Sequence, residues 1–255
     1  MRRTAMRGLS NWTIVGFIFL LFAAAPTAFS QEGASVRVTH LSADTPIVDI
    51  WIDGVMTRGY LGPMRTTQYL NVLAGEHRIQ VRPTGEESVL TELSLNLLPA
   101  SKVTLGITGL SGQNDLQLTA QTDDAVADFF FAKVRFVHAS SGVPAIDIAV
   151  AKGGPMLVSN LGYRESSGYI QIRPDVYDLE VRISGTSTVL FTIPKVGVSR
   201  AANCTIYTTI EGDGNVLKTV HTFETNTHLD YKELLLGLAF WAALLAWFVK
   251  NHAAA

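Results

Sequence analysis

Through most of the chain, apolar and polar residues alternate with a period of two. Val36, Val38 and His40 share one phase, and Arg37 and Thr39 share the other. Val48, Ile50 and Ile52 alternate with Asp49, Trp51 and Asp53, while Ile79 and Val81 alternate with Arg78, Gln80 and Arg82. Val103, Leu105 and Ile107 continue the pattern, and Ile170, Ile172, Leu179 and Val181 repeat it later. Neighbouring side chains of a strand point to opposite faces, so the pattern predicts strands that bury one face. Turn-forming groups punctuate the runs, among them Asp53-Gly54, Pro83-Thr84-Gly85 and Ser184-Gly185. Seven or so short strands in each stretch of about 90 residues, with no helical period, predict an all-β chain. The expected unit is a small antiparallel β-sandwich, Ig-like or transthyretin-like.

The pattern occurs twice. Val36, Arg37, His40, Ser42, Pro46 and Asp49 recur 98 positions on as Val134, Arg135, His138, Ser140, Pro144 and Asp147. From Gly62 and Gly162 onward the offset is 100, matching Tyr69 to Tyr169 and Arg82 to Arg182. Two extra residues therefore lie between the matched blocks. They are expected near Gly153 and Gly154, because loops absorb insertions and strands do not. A repeat of this length is a duplicated domain and not a solenoid unit. The expected domains are 35–122 and 132–223. Between them the chain is acidic at Asp123, Asp124 and Asp128 and ends in Phe129, Phe130 and Phe131. Three successive aromatics predict burial, in the domain junction or in the first strand of the second copy.

Two segments break the alternation. Arg2, Arg3 and Arg7 precede an apolar run over 12–25, followed by the small residues Ala28 and Ser30. That is the make-up of an export signal peptide over 1–30, with an uncleaved signal anchor as the alternative. Residues 234–249 carry no charge, and Lys232 and Lys250 flank them. With Tyr231, Trp241 and Trp247 suited to the interfacial zones, they predict one transmembrane helix over 233–250. A lipid-anchor tail that is removed is the rival reading. The two segments together predict a single-pass protein of the cell membrane with both domains extracytoplasmic.

Composition narrows the chemistry. Twenty basic and 22 acidic residues leave no basic field to attract nucleic acid. Cys204 is the sole cysteine and shares a strand phase with Ile206 and Ile210, so a buried thiol is expected. His40, Ser42 and Asp49, with their counterparts in the second copy, invite a nucleophilic reading. Each histidine, however, lies on the inward phase close to a turn, where an imidazole can hold loop backbone. A structural role is expected, and no catalytic residue is assigned. The six histidines form no HExxH pattern and Cys204 has no second thiol. The acidic turn over 211–215 offers too few oxygens for calcium, so neither metal nor cofactor is expected. Trp51 is the candidate ligand-binding residue, together with Asp49 and Asp53 on either side of it. It lies on the outward phase, and Ala149 replaces it in the second copy. An exposed tryptophan can stack on a sugar or anchor a protein partner. Packing under a loop or against the neighbouring domain is the alternative.

The opening blocks of the two copies, VRVTHLSADTPIVDIWIDG and VRFVHASSGVPAIDIAV, resemble the bacterial "domain of unknown function 4397" family. LNVLAGEHRIQVRPTG resembles a later hairpin of that family, and the likeness covers most of 35–222. The resemblance implies an exported, often surface-attached β-domain and supplies no catalytic residues. The second copy departs from the pattern at Gly142, opposite Asp44, and at Pro174-Asp175, opposite Ala74-Gly75. The expected function is a non-enzymatic binding, adhesion or scaffolding module. Its expected partners are the lipid bilayer, through the C-terminal helix, and an envelope protein or polysaccharide. An accessory subunit of a membrane protein complex, or a carbohydrate-binding envelope protein, is the alternative.

Overall fold

The computed structural model describes residues 33–123, 130–211 and 216–225. The predicted signal peptide, Phe129, the predicted turn over 212–215 and the predicted transmembrane segment lie outside them. No helix among the described residues is long and apolar enough to cross a membrane.

The first half forms eight strands: β1 (Gly33–His40), β2 (Val48–Ile52), β3 (Val55–Leu61), β4 (Leu70–Leu73), β5 (Gly75–Pro83), β6 (Thr91–Leu97), β7 (Lys102–Thr108) and β8 (Gln117–Thr122). Strands in the order β4-β1-β7-β8 make an inner sheet, and β3-β2-β5-β6 make an outer one. Val36 and Val38 of β1 and Leu105 and Ile107 of β7 meet Ile50, Ile79 and Val81 in one buried cluster. The alternating apolar phase of each strand thus fills the space between two sheets. Each fully buried Val, Leu or Ile contributes roughly 1.5–3 kcal/mol.

The second half repeats the arrangement with β9 (Ala132–His138), β10 (Ile146–Val150), β11 (Met156–Leu161), β12 (Ser166–Ile172), β13 (Asp175–Ile183), β14 (Val189–Val198), β15 (Ala202–Glu211) and β16 (Val216–Thr225). Its inner sheet runs β12-β9-β15-β16 and its outer sheet β11-β10-β13-β14. Val134, Phe136, Ile148, Val181 and Ile206 lead its core. The two extra residues of this copy fall in the β10–β11 turn, as the matched blocks require. Asp53-Gly54 alone joins β2 to β3, whereas 151–155 joins β10 to β11, Pro155 being the counterpart of Val55, the first residue of β3.

Three expectations are corrected. The sheets are not wholly antiparallel, because β1 pairs with β7, and β9 with β15, in parallel register. The chain returns to the inner sheet first as β4, antiparallel to β1, and after β5 and β6 of the outer sheet it returns again as β7, from the end where β1 began. Alternation reports which way a side chain faces and is blind to strand direction. Second, the inner strands bury both faces. Arg37, Thr39, Thr104 and Thr108 of the first domain are buried on the phase opposite the core. So are Arg135, Val137, Thr205 and Tyr207 of the second. The inner sheets lie against each other, giving four layers in the order outer, inner, inner, outer. Third, Phe130 and Phe131 are exposed, at 71% and 37% of their surface.

Candidate functional site

The structure divides the His, Ser and Asp triplet among separate tasks. His40 is fully buried, and its Nε2–H donates to the Pro46 carbonyl at 3.1 Å. His138 does the same to Pro144 at 3.0 Å. Burial lowers both imidazoles below their ordinary value, against the raising effect of those carbonyls. Ser42 shares a 2.7 Å hydrogen bond with the Thr45 hydroxyl and donates to Asp44. In the second copy it is the backbone N–H of Ser140 that reaches His138, at Nδ1.

Asp49 works elsewhere. Its carboxylate accepts from the Tyr60 N–H at 2.9 Å, the Thr84 hydroxyl at 2.8 Å and the Gly85 N–H. Asp147 accepts from the Asn160 N–H at 2.7 Å and the Gly185 N–H at 2.9 Å. Tyr60 and Asn160 sit at φ 58° and 53°, a left-handed backbone that non-glycine residues rarely adopt. Each occupies the stretch where the pairing with β2 or β10 slips register. Each aspartate therefore pins a strained bulge in the edge strand to the turn after β5 or β13. Burial works to raise both carboxyls, but these hydrogen bonds outweigh it and hold them low.

The seam between the domains contains the densest polar network. Asp123, which follows β8, accepts from Arg135 at 2.6 Å and from the Tyr69 hydroxyl at 2.7 Å. Thr104 also donates to it, and the Arg37 guanidinium lies 3.7 Å away. Arg37 reaches Thr222 of β16, and Arg135 reaches the Thr122 carbonyl. Each domain's arginine thus crosses to the last strand of the other. Arg37 stacks on Tyr69 and Arg135 on Tyr169, both at 4.6 Å, so the outward tyrosines serve the framework. Tyr207, packed with Leu41, Val137 and Ala139, is buried enough that its hydroxyl is pushed up to about 12.

At the other end of the seam, Asp44 accepts from the Ser111 and Gly112 N–H groups, both at 2.8 Å. That fixes a short 3-10 turn, Ser111–Gln113, from which Asp115 reaches the second domain. Asp115 pairs with Arg164 at 3.0 Å and accepts from the Tyr163 hydroxyl at 3.0 Å. The acid at 44 therefore has a task that the glycine at 142 does not share. Sequence reasoning missed Asp115, Asp123 and Arg164. The available signal was Arg37 and Arg135, long cations recurring in the same outward place in both copies.

Trp51 lies on β2 of the first domain's outer sheet, and Asp53 lies in the β2–β3 turn beside it. Trp51 is partly exposed, and the Arg82 guanidinium lies 4.3 Å over its ring. The indole N–H is buried without a hydrogen-bond partner among the described residues. Asp53 accepts from the Arg78 N–H at 2.9 Å and contacts His77 Nδ1 at 2.6 Å, while His77 Nε2–H donates to the Leu73 carbonyl. Burial works to lower His77, but Asp53 and that carbonyl lift it above its ordinary value. Among the described residues, no three His, Cys, Asp or Glu side chains are grouped to hold a metal. Cys204 is buried, and its thiol is pushed up to about 12.

No curated relative matches the chain. Among solved structures it is similar to a family 26 carbohydrate-binding module from Eubacterium rectale Amy13K, described in complex with maltoheptaose. The identity is 13% and the TM-score 0.23, over 76% of this chain and 96% of that one. A proposed cell adhesion protein from Parabacteroides distasonis matches at 11% identity and TM-score 0.24, over 77% and 99%. Another from Bacteroides eggerthii matches at 9% and 0.23, over 79% and 98%. Overlaps this low carry no weight for fold or function. The family described as "Domain of unknown function (DUF4397)" matches twice, over residues 34–149 and 132–233. Two matches that together span most of the chain show that it belongs to the domain of unknown function 4397 family, in two tandem copies.

Proposed function

We infer that the chain is an exported, membrane-tethered, non-enzymatic binding module whose two domains act as one body. The observation that carries this reading is what the triplet residues do. In both copies the histidine and the aspartate are occupied in holding turns, and neither is hydrogen-bonded to the hydroxyl of the triplet serine, Ser42 or Ser140. The seam consumes the inner faces, so a ligand is left the outer sheets, of which the first alone carries a tryptophan. In this reading an envelope protein or polysaccharide meets Trp51 and Asp53, and Asp49 fixes the bulge beside them.

Stacking of a sugar on Trp51 is the second reading, favoured by the partly exposed ring on a broad polar face. The test is Trp51→Ala in the full chain, scored by retention on purified wall polysaccharide and by cross-linking to envelope proteins. Loss of either, with unchanged melting, identifies the ligand class. No change in either removes Trp51 as the contact. Turnover of an ester, peptide or glycoside by the purified chain would overturn the non-enzymatic reading.

A further inference from the structure

Strand direction brings one end of both domains together. β1, β3, β5 and β7 start at the end where β2, β4, β6 and β8 finish, and β9–β16 alternate likewise, the short β4–β5 and β12–β13 connections linking the two sheets of each domain. Two contacts orient the domains on each other. Asp123, just past β8, meets the long side chain of Arg135 from the middle of β9, and Asp115 and Arg164, in the β7–β8 and β11–β12 connections, meet at the far end of both domains. Gly33, Asp123, Ala132 and Thr225 therefore lie at a common end, the base.

The base is where apolar surface collects. Of the twelve large apolar side chains most exposed among the described residues, eight stand there. In the first domain these are Val55 and Met56 at the β2–β3 turn, Leu73 at 56% and Leu98 at 64% exposure. The second domain adds Phe130, Phe131, Met156 and Val176, the last at 63%. A single exposed apolar residue needs no explanation, but eight gathered at one end do. Charged groups at the base are mixed in sign, with Lys152, Arg173 and Arg200 against Asp53, Glu76 and Asp175. An electrostatic partner is therefore not what this end selects.

The chain itself indicates the occupant. β16 delivers the backbone to the base at Thr225, and eight residues, 226–233, separate it from the charge-free stretch 234–249. Their reach is at most about 28 Å when fully extended. We propose that the base is a lipid-docking surface, whose exposed apolar side chains enter the interfacial zone of the bilayer and hold both domains against it. This rests on the tethering reading above.

The test uses the full chain reconstituted in phosphatidylcholine vesicles, with spin labels at Leu98→Cys, Val176→Cys or Val89→Cys, the last at the opposite end. Cys204 is buried and stays unlabelled. The expected result is co-flotation with vesicles and severalfold lower access of an aqueous relaxation agent at positions 98 and 176 than at 89. Co-flotation with equal access at all three positions, or with protection at 89 as well, overturns the docking surface and leaves the tether standing. Failure to co-float removes the tether and the docking surface together.

Discussion

Arg135 of the second domain donates to Asp123 at the end of the first across 2.6 Å, with 3% and 0% of their side-chain surfaces exposed. Around this pair the outward faces of two sheets, polar enough to pass for solvated surface, become an interior. The polar groups satisfy one another: guanidinium on carboxylate, hydroxyl on carboxylate, ring under guanidinium. Buried charge is tolerated only when paired and hydrogen-bonded in this way.

Asp123→Asn keeps the shape of that acid and removes its charge. Arg135 then loses its carboxylate inside a buried seam, a loss that costs about 3–5 kcal/mol for a pair broken on one side. Urea denaturation of the variant should show a lower midpoint with an unchanged slope.

Gly109→Ala tests the bridge at the other end. Gly109 sits at φ +96°, and an added Cβ would fall on the Asp115 backbone and within 2.7 Å of the Arg164 guanidinium. The substitution should cost more than about 1 kcal/mol. Hydrogen exchange should rise in 109–116 and 162–166 together, because one strained turn serves both domains.

Asp49→Asn and Asp147→Asn should cost about the same as each other, roughly 1.5–3 kcal/mol for hydrogen bonds made by a charged group. Equal losses at the two matched positions would mark a duplicated structural part. A loss of partner binding at unchanged stability in Asp49→Asn would instead place that acid in a ligand site.

The histidines set opposing pH dependences. His40 and His138 have folded values below the unfolded one near 6.5, so the unfolded chain takes up protons that the folded chain refuses. Their contribution is complete above that pH and declines as pH falls below it. His77 is raised, so its contribution is complete below the unfolded value and fades as pH rises through the folded one. His77→Gln should therefore steepen the loss of stability between neutral and mildly acid pH, as read from denaturation midpoints.

Much of the fold was legible in the residues. The period of two marked Val36, Val38, Ile50 and Val81 as core, and matched blocks located the second copy and its longer β10–β11 turn. The inward phase of His40 and His138, close to a turn, pointed to the carbonyls they hold. Legibility stopped where the second domain supplies the environment. Arg37 and Thr39 read as solvated because a period of two separates faces without saying what covers each. Phe130 and Phe131 read as buried because three successive aromatics are unfavourable in water, an argument that says nothing of whether a neighbour reaches them. Asp115 and Arg164 are 49 positions apart and meet through tertiary geometry alone.

Calorimetry of Arg135→Ala most directly tests the claim that the two copies form one body. The account predicts that the parent melts in a single transition, since each domain loses its inner face when the other unfolds. Removing Arg135 should lower that whole transition. Two separate transitions in the parent, with only the second moved by Arg135→Ala, would contradict it.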